Sequence, residues 1–331
     1  MTAMGNPLGK EHRLPLLLAC LVLALGLIAA VLGASRAAGP ASVVGPYVDL
    51  RRVPPGAAGP APGPGASTGT VTVECGRNEE GHWNEDNLVV SPGVRAGAHH
   101  THAYVGNLSA DALSTDASLA AAGTRCTGGD RSVYYWPVLR RTDRAGGGPH
   151  EGAAGHGNAG EILREASVRV EFRGSPVSGV VAMPRFLRAI TGDAVAYTAG
   201  GGAGVRARWG CSGLPDRSTT GYPRCPAGEL VTRTLVFPSC WNGLDTASPD
   251  HRSHLLFPSA SGVCPQGTFP VPELRLSLAY AVAPGVPLAL DSFPEQRHSP
   301  LTDHAMFVDV MTDARMGELV ACLNEGRHCR M

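Results

Sequence analysis

Hydrophobic and polar residues alternate in several short stretches beyond residue 70. In 167–172 and 275–280, every second residue is a large apolar one. This period of two predicts strands that bury one face and expose the other. Strand-like stretches with turns between them fill much of this region, the two alternating ones included; they lie at 70–74, 132–139, 166–172, 205–209, 231–237, 254–257, 274–282 and 305–310. The pattern predicts a mostly β domain, either a β-sandwich or a jelly roll with long loops.

Helical periodicity is scarce and is clearest near the C terminus. Met316, Leu319, Val320 and Leu323 follow the i, i+3, i+4, i+7 spacing of an amphipathic helix. Thr312 precedes this run and is a residue type that favours the N-cap position. The sequence therefore predicts one C-terminal helix after the strands.

The longest apolar run, residues 14–33, contains no charged residue. Its length is enough to span a bilayer as a helix. It predicts a transmembrane anchor or, because small residues follow it, a cleaved signal segment. The basic residues of 1–13 place that end in the cytoplasm and 70–331 outside the cell, with a Pro-, Gly- and Ala-rich linker at 34–69. We expect a cell-membrane protein with an extracytoplasmic domain, or a secreted protein if the segment is cleaved.

The composition narrows the range of partners. The chain has 28 basic and 28 acidic residues, so no net charge attracts nucleic acid. Its 43 glycines and 27 prolines favour turns and loops over long helices. The membrane, through the N-terminal helix, is therefore an expected partner, and nucleic acid is not.

Nine cysteines indicate an oxidising compartment. Cys20 lies in the apolar run, and an even set of eight follows it, which is typical of disulfides in an extracytoplasmic domain. Eight cysteines allow 105 pairings, so the connectivity stays open. We favour pairs of sequence neighbours: Cys211–Cys225, Cys240–Cys264 and Cys322–Cys329, with Cys75–Cys126 remaining.

The most distinctive polar stretch is residues 97–107, GAHHTHAYVGN. It places three of the 12 histidines within four residues. On an extended strand, His100 and His102 would point to the same face. Two imidazoles on one face suit a divalent metal, an acid–base pair or a polar ligand cleft. A metal site here needs further ligands from other parts of the chain.

Several motifs resemble one known family. HHTHAYVGN, RSVYYWPVLR, FPSCWNGLDTASPDHRSH and a closing His-Ala-x-Phe occur in this order and are similar to the domain-of-unknown-function family nineteen ninety-six. The resemblance covers about residues 70–325. The family occurs in secreted fungal and bacterial proteins, sometimes beside carbohydrate-related modules, and implies no defined activity.

The resemblance also implies a set of shared polar positions. In this chain they are His100, His102, Asn107, Trp241, Asp250, His251, His254 and His304. One position departs from the family pattern, which resembles His-x-Asp-Phe near the end, because Met306 occupies the acidic place. If that carboxylate serves as ligand or base in the family, this protein is impaired or uses Asp303 or Asp309 instead.

These positions support hypotheses from three classes. The first is an enzyme acting on cell-envelope polysaccharide, in which His100, His102, Asp250, His254 and His304 are catalytic and His100 and His102 bind a divalent metal. The second is a non-catalytic carbohydrate- or surface-binding module that uses Asn107, Trp241 and His251. The third is a disulfide-stapled structural ectodomain. No GxSxG, HExxH, P-loop or GxGxxG motif occurs in the sequence.

Simpler explanations compete at each position. His100 and His102 can be hydrogen-bonded residues of a polar cleft without a metal. Asp250 follows a proline and can cap a turn. Trp241, beside Cys240, can anchor a loop rather than bind a sugar.

Overall fold

The computed structural model describes residues 47–146 and 156–331. The predicted segments 1–13 and 14–33 lie outside these ranges. Within the described residues, no helix has the length and apolar character required to cross a membrane.

Strands dominate the described chain. Two α-helices, α1 (Asp116–Ala121) and α2 (Asp313–Asn324), and four 3₁₀ turns, at Leu50–Arg52, Thr127–Gly129, Pro294–Gln296 and Pro300–Thr302, accompany them. The strands are β1 Tyr47–Asp49, β2 Thr70–Val73, β3 Trp83–Asn84, β4 His102–Gly106, β5 Val133–Pro137, β6 Leu139–Arg141, β7 Glu161–Ile162, β8 Ser167–Arg173, β9 Arg188–Gly192, β10 Trp209–Cys211, β11 Tyr222–Arg224, β12 Val231–Val236, β13 Cys240–Trp241, β14 Leu255–Leu256, β15 Phe269–Pro270, β16 Glu273–Tyr280, β17 Leu288–Leu290, β18 His304–Val308 and β19 His328–Arg330.

Two larger sheets form the main body of the fold. One has six strands in the order β10-β12-β16-β8-β2-β19, and the other has five in the order β3-β4-β5-β18-β9. Smaller sheets are β14-β13-β15, β17-β6-β7 and the parallel pair β1-β11. Phe307 of β18 packs near Phe172 of β8, with ring centroids 6.2 Å apart, and both belong to one buried cluster. The prediction of a mostly β chain is confirmed, and two sheets sharing a core are consistent with a β-sandwich.

The alternating strands bury the faces that their sequences predict. In β16, Leu274, Leu276 and Leu278 are buried, whereas Arg275 and Ser277 between them are partly exposed. β12 alternates in the same way. The outward face of the six-stranded sheet is therefore polar, as expected for a sheet with one face in water.

The five-stranded sheet differs because both of its faces are covered. Its outward residues, including Tyr104, Tyr135 and Met306, form a second buried cluster with Leu88 and with Leu119 of α1. The segment between β3 and β4 contributes to this cover. Polar residues on this face are consequently removed from water.

The predicted C-terminal helix is confirmed as α2. The hydroxyl of Thr312 accepts a hydrogen bond from the Arg315 amide at the N terminus of the helix. Met316, Leu319 and Leu323 are buried on one face. The short helix α1 was not predicted, because six residues are too few to establish a periodicity.

All four favoured disulfide pairings are present. They join Cys75 to Cys126, Cys211 to Cys225, Cys240 to Cys264 and Cys322 to Cys329. Four disulfides are typical of an extracellular or secreted protein.

Part of the segment assigned to a linker packs on the β domain. β1 pairs in parallel with β11, and the side chain of Leu50 is fully buried. Further along, the Gly56 amide donates to the carbonyl of Asp216 and the Gly63 amide to that of Pro176. Proline and glycine density alone suggested a segment without a core, but a few apolar side chains and backbone hydrogen bonds hold it in place.

Candidate metal centre

Three histidine side chains meet on the outward face of the five-stranded sheet. Nε2 of His100 lies 3.1 Å from Nε2 of His102 and 3.3 Å from Nε2 of His304. The three side chains present ligand atoms that all lie within 4.8 Å of one another. Each residue is at most 4% exposed. This grouping is the strongest candidate site in the described chain.

Strand register explains why residues distant in sequence converge. β5 lies between β4 and β18 and pairs with both. Tyr104 and Met306 both lie opposite Tyr135, so His102 and His304, each two residues earlier, share the outward face. His100 precedes β4 and reaches the same point after a left-handed residue, His99, with φ of 56°.

Hydrogen bonds fix the orientation of two of the three rings. Nδ1 of His102 lies 3.0 Å from the carbonyl oxygen of Asp86, and Nδ1 of His304 lies 2.7 Å from that of Thr302. A carbonyl only accepts, so each Nδ1 carries the proton and each Nε2 has a free lone pair. Metal-binding histidines are commonly oriented in this way.

The distances between the Nε2 atoms match those between two ligands of a tetrahedral metal ion. With Zn–N bonds of about 2.0–2.1 Å, two ligands on a tetrahedral zinc stand about 3.3–3.4 Å apart. The observed separations from His100 are 3.1 and 3.3 Å. Nδ1 of His100 is buried and has no hydrogen-bond partner within the described residues. Three nitrogens that converge in this way suit a divalent cation.

Burial keeps these imidazoles neutral. It is the largest cause that lowers the pKa of His304, to about 4. The pKa values of His100 and His102 also lie well below the usual range, first because of burial and then because neighbouring imidazoles would repel a second charge. The neutral form is the one that binds metals.

A buried ion pair holds the backbone between the first two histidines. Arg140 and Asp291, both with fully buried side chains, form two hydrogen bonds of 2.5 and 3.0 Å. Asp291 also accepts from the Thr101 amide at 3.1 Å, and Arg140 donates to the Thr101 hydroxyl at 3.3 Å. Thr101 lies between His100 and His102, so this pair fixes the start of β4.

A second buried ion pair holds the residue before His304. Arg233 binds both carboxylate oxygens of Asp303. It also donates to the Pro137 carbonyl and the Tyr280 hydroxyl, each at 3.0 Å. The two pairs anchor the three histidines to the core between the sheets.

A cavity of about 390 Å³ opens onto His100 and His304. Two carboxylates, one guanidinium and one further imidazole line it together with apolar side chains. The lining residues are Asn87, Val90, Ser91, Gly97, Ala98, His100, Ile190, Asp193, Ala194, Val195, Asp250, His251, Arg252, Phe293, His304 and Met306. Two of the predicted site residues outside the triad, Asp250 and His251, therefore face the same space as the triad.

Asp250 combines its position in the cavity with a turn-capping role. Its Oδ1 accepts hydrogen bonds from the Ser248 hydroxyl, from the Arg252 and Ser253 amides, and from the Ser253 hydroxyl. These bonds, led by that of Ser248, lower its pKa well below the usual range. Asp250 is therefore a stable anion and a weak base.

The remaining predicted residues lie outside the cavity. Nδ1 of His254 lies 2.9 Å from the Ser248 hydroxyl, and its Nε2 lies 2.6 Å from the Arg188 carbonyl. Asn107 donates to the carbonyls of Leu119 and Arg131. Nε1 of Trp241 donates to the Asp245 carbonyl. The structure brings none of these three side chains to the histidine triad.

Neither proposed substitute for the missing acid reaches the cavity. Met306 itself lines it, whereas Asp303 is engaged by Arg233. Asp309 accepts from the Met311 amide, and burial raises its pKa well above the usual range. Met306, where the resemblance implies an acid, adds an apolar side chain to the cavity.

Some residues in and around the candidate site carried no clear signal in the sequence. Asp193 and Arg252 line the cavity from separate loops. Asp86 is buried, its carboxylate accepts from the Ala96 and Ala112 amides, and its backbone carbonyl orients His102. The density of carboxylates and amides around Asp86 was the available signal, since buried loops need such acceptors.

Comparison with known proteins gives a family but no activity. The profile of a domain of unknown function (DUF1996) matches residues 87–300. The chain belongs to the DUF1996 family. The matched range contains His100 and His102 and ends four residues before His304. No curated protein matches the chain, and no solved structure matches it.

Proposed function

We propose that this DUF1996 protein is an extracytoplasmic, divalent-metal-dependent hydrolase that removes ester or amide substituents from cell-envelope polysaccharide. The observation that carries the proposal is the convergence of three buried Nε2 atoms beneath a cavity. Three histidine ligands leave one position of a tetrahedral zinc open for water or substrate. The apolar segment 14–33 would tether the protein to the cell membrane, or would be removed on secretion.

The residues of the cavity support hydrolytic chemistry. A bound zinc would lower the pKa of a water molecule towards neutrality. Asp193 can accept a proton from such a water and Asp250 a hydrogen bond, and Arg252 and His251 can donate to a substrate carbonyl. The carbonyls of Asp86 and Thr302 hold two imidazoles in the required orientation.

The available carboxylates favour this reaction over cleavage of the glycosidic bond. Most glycoside hydrolases need a carboxylic acid that stays protonated near neutral pH, beside a second carboxylate. Asp250 has a lowered pKa, and Met306 occupies the place where the family pattern has an acid. Hydrolysis of an acyl substituent needs an activated water and a polarised carbonyl, and the triad suits both tasks.

A second candidate is a non-catalytic carbohydrate- or surface-binding module. The apolar Met306 in the cavity favours it, because a lost acid is compatible with a site that binds without reacting. A third candidate, a structural ectodomain stapled by its disulfides, would need neither the metal nor the cavity.

Metal binding is tested first on the full-length protein after treatment with a chelator. We expect one zinc ion per chain by calorimetric titration. His100→Ala, His102→Ala and His304→Ala should each weaken binding by about a hundredfold or more, since each removes a ligand. His99→Ala is the matched control, because His99 is the exposed neighbour of the triad. Equal zinc affinity in all four variants would reject the site.

Activity is tested by acetate release from acetylated envelope polysaccharide. The zinc-loaded wild type should release acetate, and the His100→Ala/His102→Ala double variant should not. Equal release by both proteins would reject catalysis at this site. Retention of wild-type protein on the polymer without acetate release would favour the binding module.

A further inference from the structure

An arginine-rich groove crosses the outward face of the six-stranded sheet. Its volume is about 750 Å³. Arg173 lies on β8 and Arg275 on β16, and Arg206 and Arg208 lead into β10. Glu273 is the one carboxylate among the residues that line this space. We call these five residues and the space between them the arginine groove.

The groove carries uncompensated positive charge. Arg173 shares the carboxylate of Glu171 with Arg169, and Arg275 lies 3.6 Å from Glu273. Within residues 47–146 and 156–331, Arg206 and Arg208 form no salt bridge. The guanidinium of Arg206 instead donates to the backbone carbonyls of Ala203 and Val205.

Burial and mutual repulsion disfavour the charged form of two of these guanidinium groups. Burial lowers the pKa of Arg275, and the nearby Arg173 lowers it further. Burial, followed by repulsion from Arg208, lowers the pKa of Arg206. Nε of Arg275 is buried without a hydrogen-bond partner in the described chain. An anion would relieve both the repulsion and the missing contact.

The groove is longer than a single anion requires. A neighbouring cavity of about 600 Å³ shares Arg208 and Arg275 with it and continues to Arg217, which lies 4.0 Å from the carboxylate of Asp216. Ala57 of the proline-rich segment lines both spaces. A linear polymer with repeated anionic groups fits this row of arginines better than an isolated ion.

We infer that the arginine groove binds a linear anionic polysaccharide through carboxylate or phosphate groups carried along its chain. The guanidinium of Arg206 covers one face of the Phe257 ring at 4.3 Å, so that face is not available for stacking nucleic-acid bases. The groove and the histidine cavity share no lining residue. The inference therefore does not depend on the proposed hydrolase activity.

The test measures binding of two polymers to the full-length protein. Polygalacturonate supplies carboxylates and polyphosphate supplies phosphates, and neutral dextran is the uncharged reference. We expect binding of at least one polyanion, weakened by added salt because the contacts are ionic. Arg206→Gln/Arg208→Gln should reduce that affinity by about tenfold or more. The preferred polymer identifies the anionic group.

Arg95→Gln/Arg330→Gln is the matched control, because both arginines are exposed and neither lines the groove. It loses the same charge and should bind like the wild type. An equal loss of affinity in both double variants would mean that net charge alone accounts for the effect, and it would overturn the inference. Failure to bind either polyanion, or tighter binding of a single-stranded oligonucleotide, would also overturn it. Zinc titration of the Arg206→Gln/Arg208→Gln variant shows whether its metal centre is intact, so that loss of polyanion binding can be told apart from loss of zinc binding.

Discussion

The histidine cavity and the arginine groove occupy the outward faces of two sheets that share one core. The cavity contains buried imidazoles with lowered pKa values and ring nitrogens oriented by backbone carbonyls. The groove contains partly exposed guanidinium groups, two of which lack a carboxylate partner in the described chain. Both sites are built mainly from outward-facing residues on neighbouring strands, yet the two sites differ in kind.

The difference follows from what covers each face. Leu88, Val89 and α1 cover the five-stranded sheet, so its ionisable groups must be neutral or paired. The corresponding face of the six-stranded sheet is less deeply covered, so its arginines keep contact with water even though burial lowers the pKa of Arg206 and Arg275. Burial therefore decides whether a face of this fold presents neutral imidazoles, which suit a metal ion, or charged guanidinium groups, which suit an anion.

The largest effect is expected at the buried ion pair of Arg140 and Asp291, which holds the backbone of Thr101 beside the histidine triad. Asp291→Asn would leave Arg140 buried with an uncompensated charge and would weaken the contact with Thr101. Removing one partner of a buried pair costs about 3–5 kcal/mol, and we expect that loss in urea-induced unfolding. Glu318→Gln, which removes a surface pair with Arg315, is the control and should cost less than about 1 kcal/mol. Equal losses would contradict the account.

A smaller loss of stability is expected from a substitution at Gly192, where β9 closely approaches the backbone of β18. Gly192 has φ of 79°, and a Cβ there would lie 2.1 Å from the Asp303 carbonyl oxygen and 2.7 Å from Cα of His304. Gly192→Ala should lower the free energy of unfolding by about 1–3 kcal/mol and weaken zinc binding by moving His304.

Gly201→Ala is the matched control for that substitution. Gly201 has φ of 81° and has no neighbour within 4 Å of the added Cβ, so it isolates backbone strain. It should leave zinc affinity unchanged. Zinc titration of both variants distinguishes displacement of His304 from strain alone.

The smallest expected effect concerns a buried carboxylate with no ion pair. Burial, and then the charge of Asp130, raises the pKa of Asp309 well above its usual range. The unfolded chain loses this proton near pH 4 and the folded chain only at higher pH, so the group destabilises the fold as pH rises through that window. Asp309→Asn should therefore raise the free energy of unfolding at pH 7 by about 1 kcal/mol and not at pH 3. Equal changes at both pH values would argue against this account.

Local patterns predicted much of the fold. The period-two stretches became β8 and β16, and the four apolar positions after Thr312 became α2. Both depend on residues close in sequence. The burial of Leu50 was not predictable in this way, because it depends on contacts with distant parts of the chain.

The candidate site was predicted only in part for the same reason. The spacing of His100 and His102 placed both on one face, but nothing local distinguished His304 from His254. Strand pairing decides that question, since β18 shares a sheet with β4. Arg140 and Asp291 are 151 residues apart, and only the folded chain shows that they hold Thr101.

The most direct test of the central claim is zinc K-edge X-ray absorption on the zinc-loaded full-length protein. The account predicts about three imidazole nitrogens at about 2.0–2.1 Å and one oxygen ligand. The His102→Ala variant should lose this signature. Zinc coordinated by sulfur, or by fewer than two imidazoles in the wild type, would contradict a metal centre built from His100, His102 and His304.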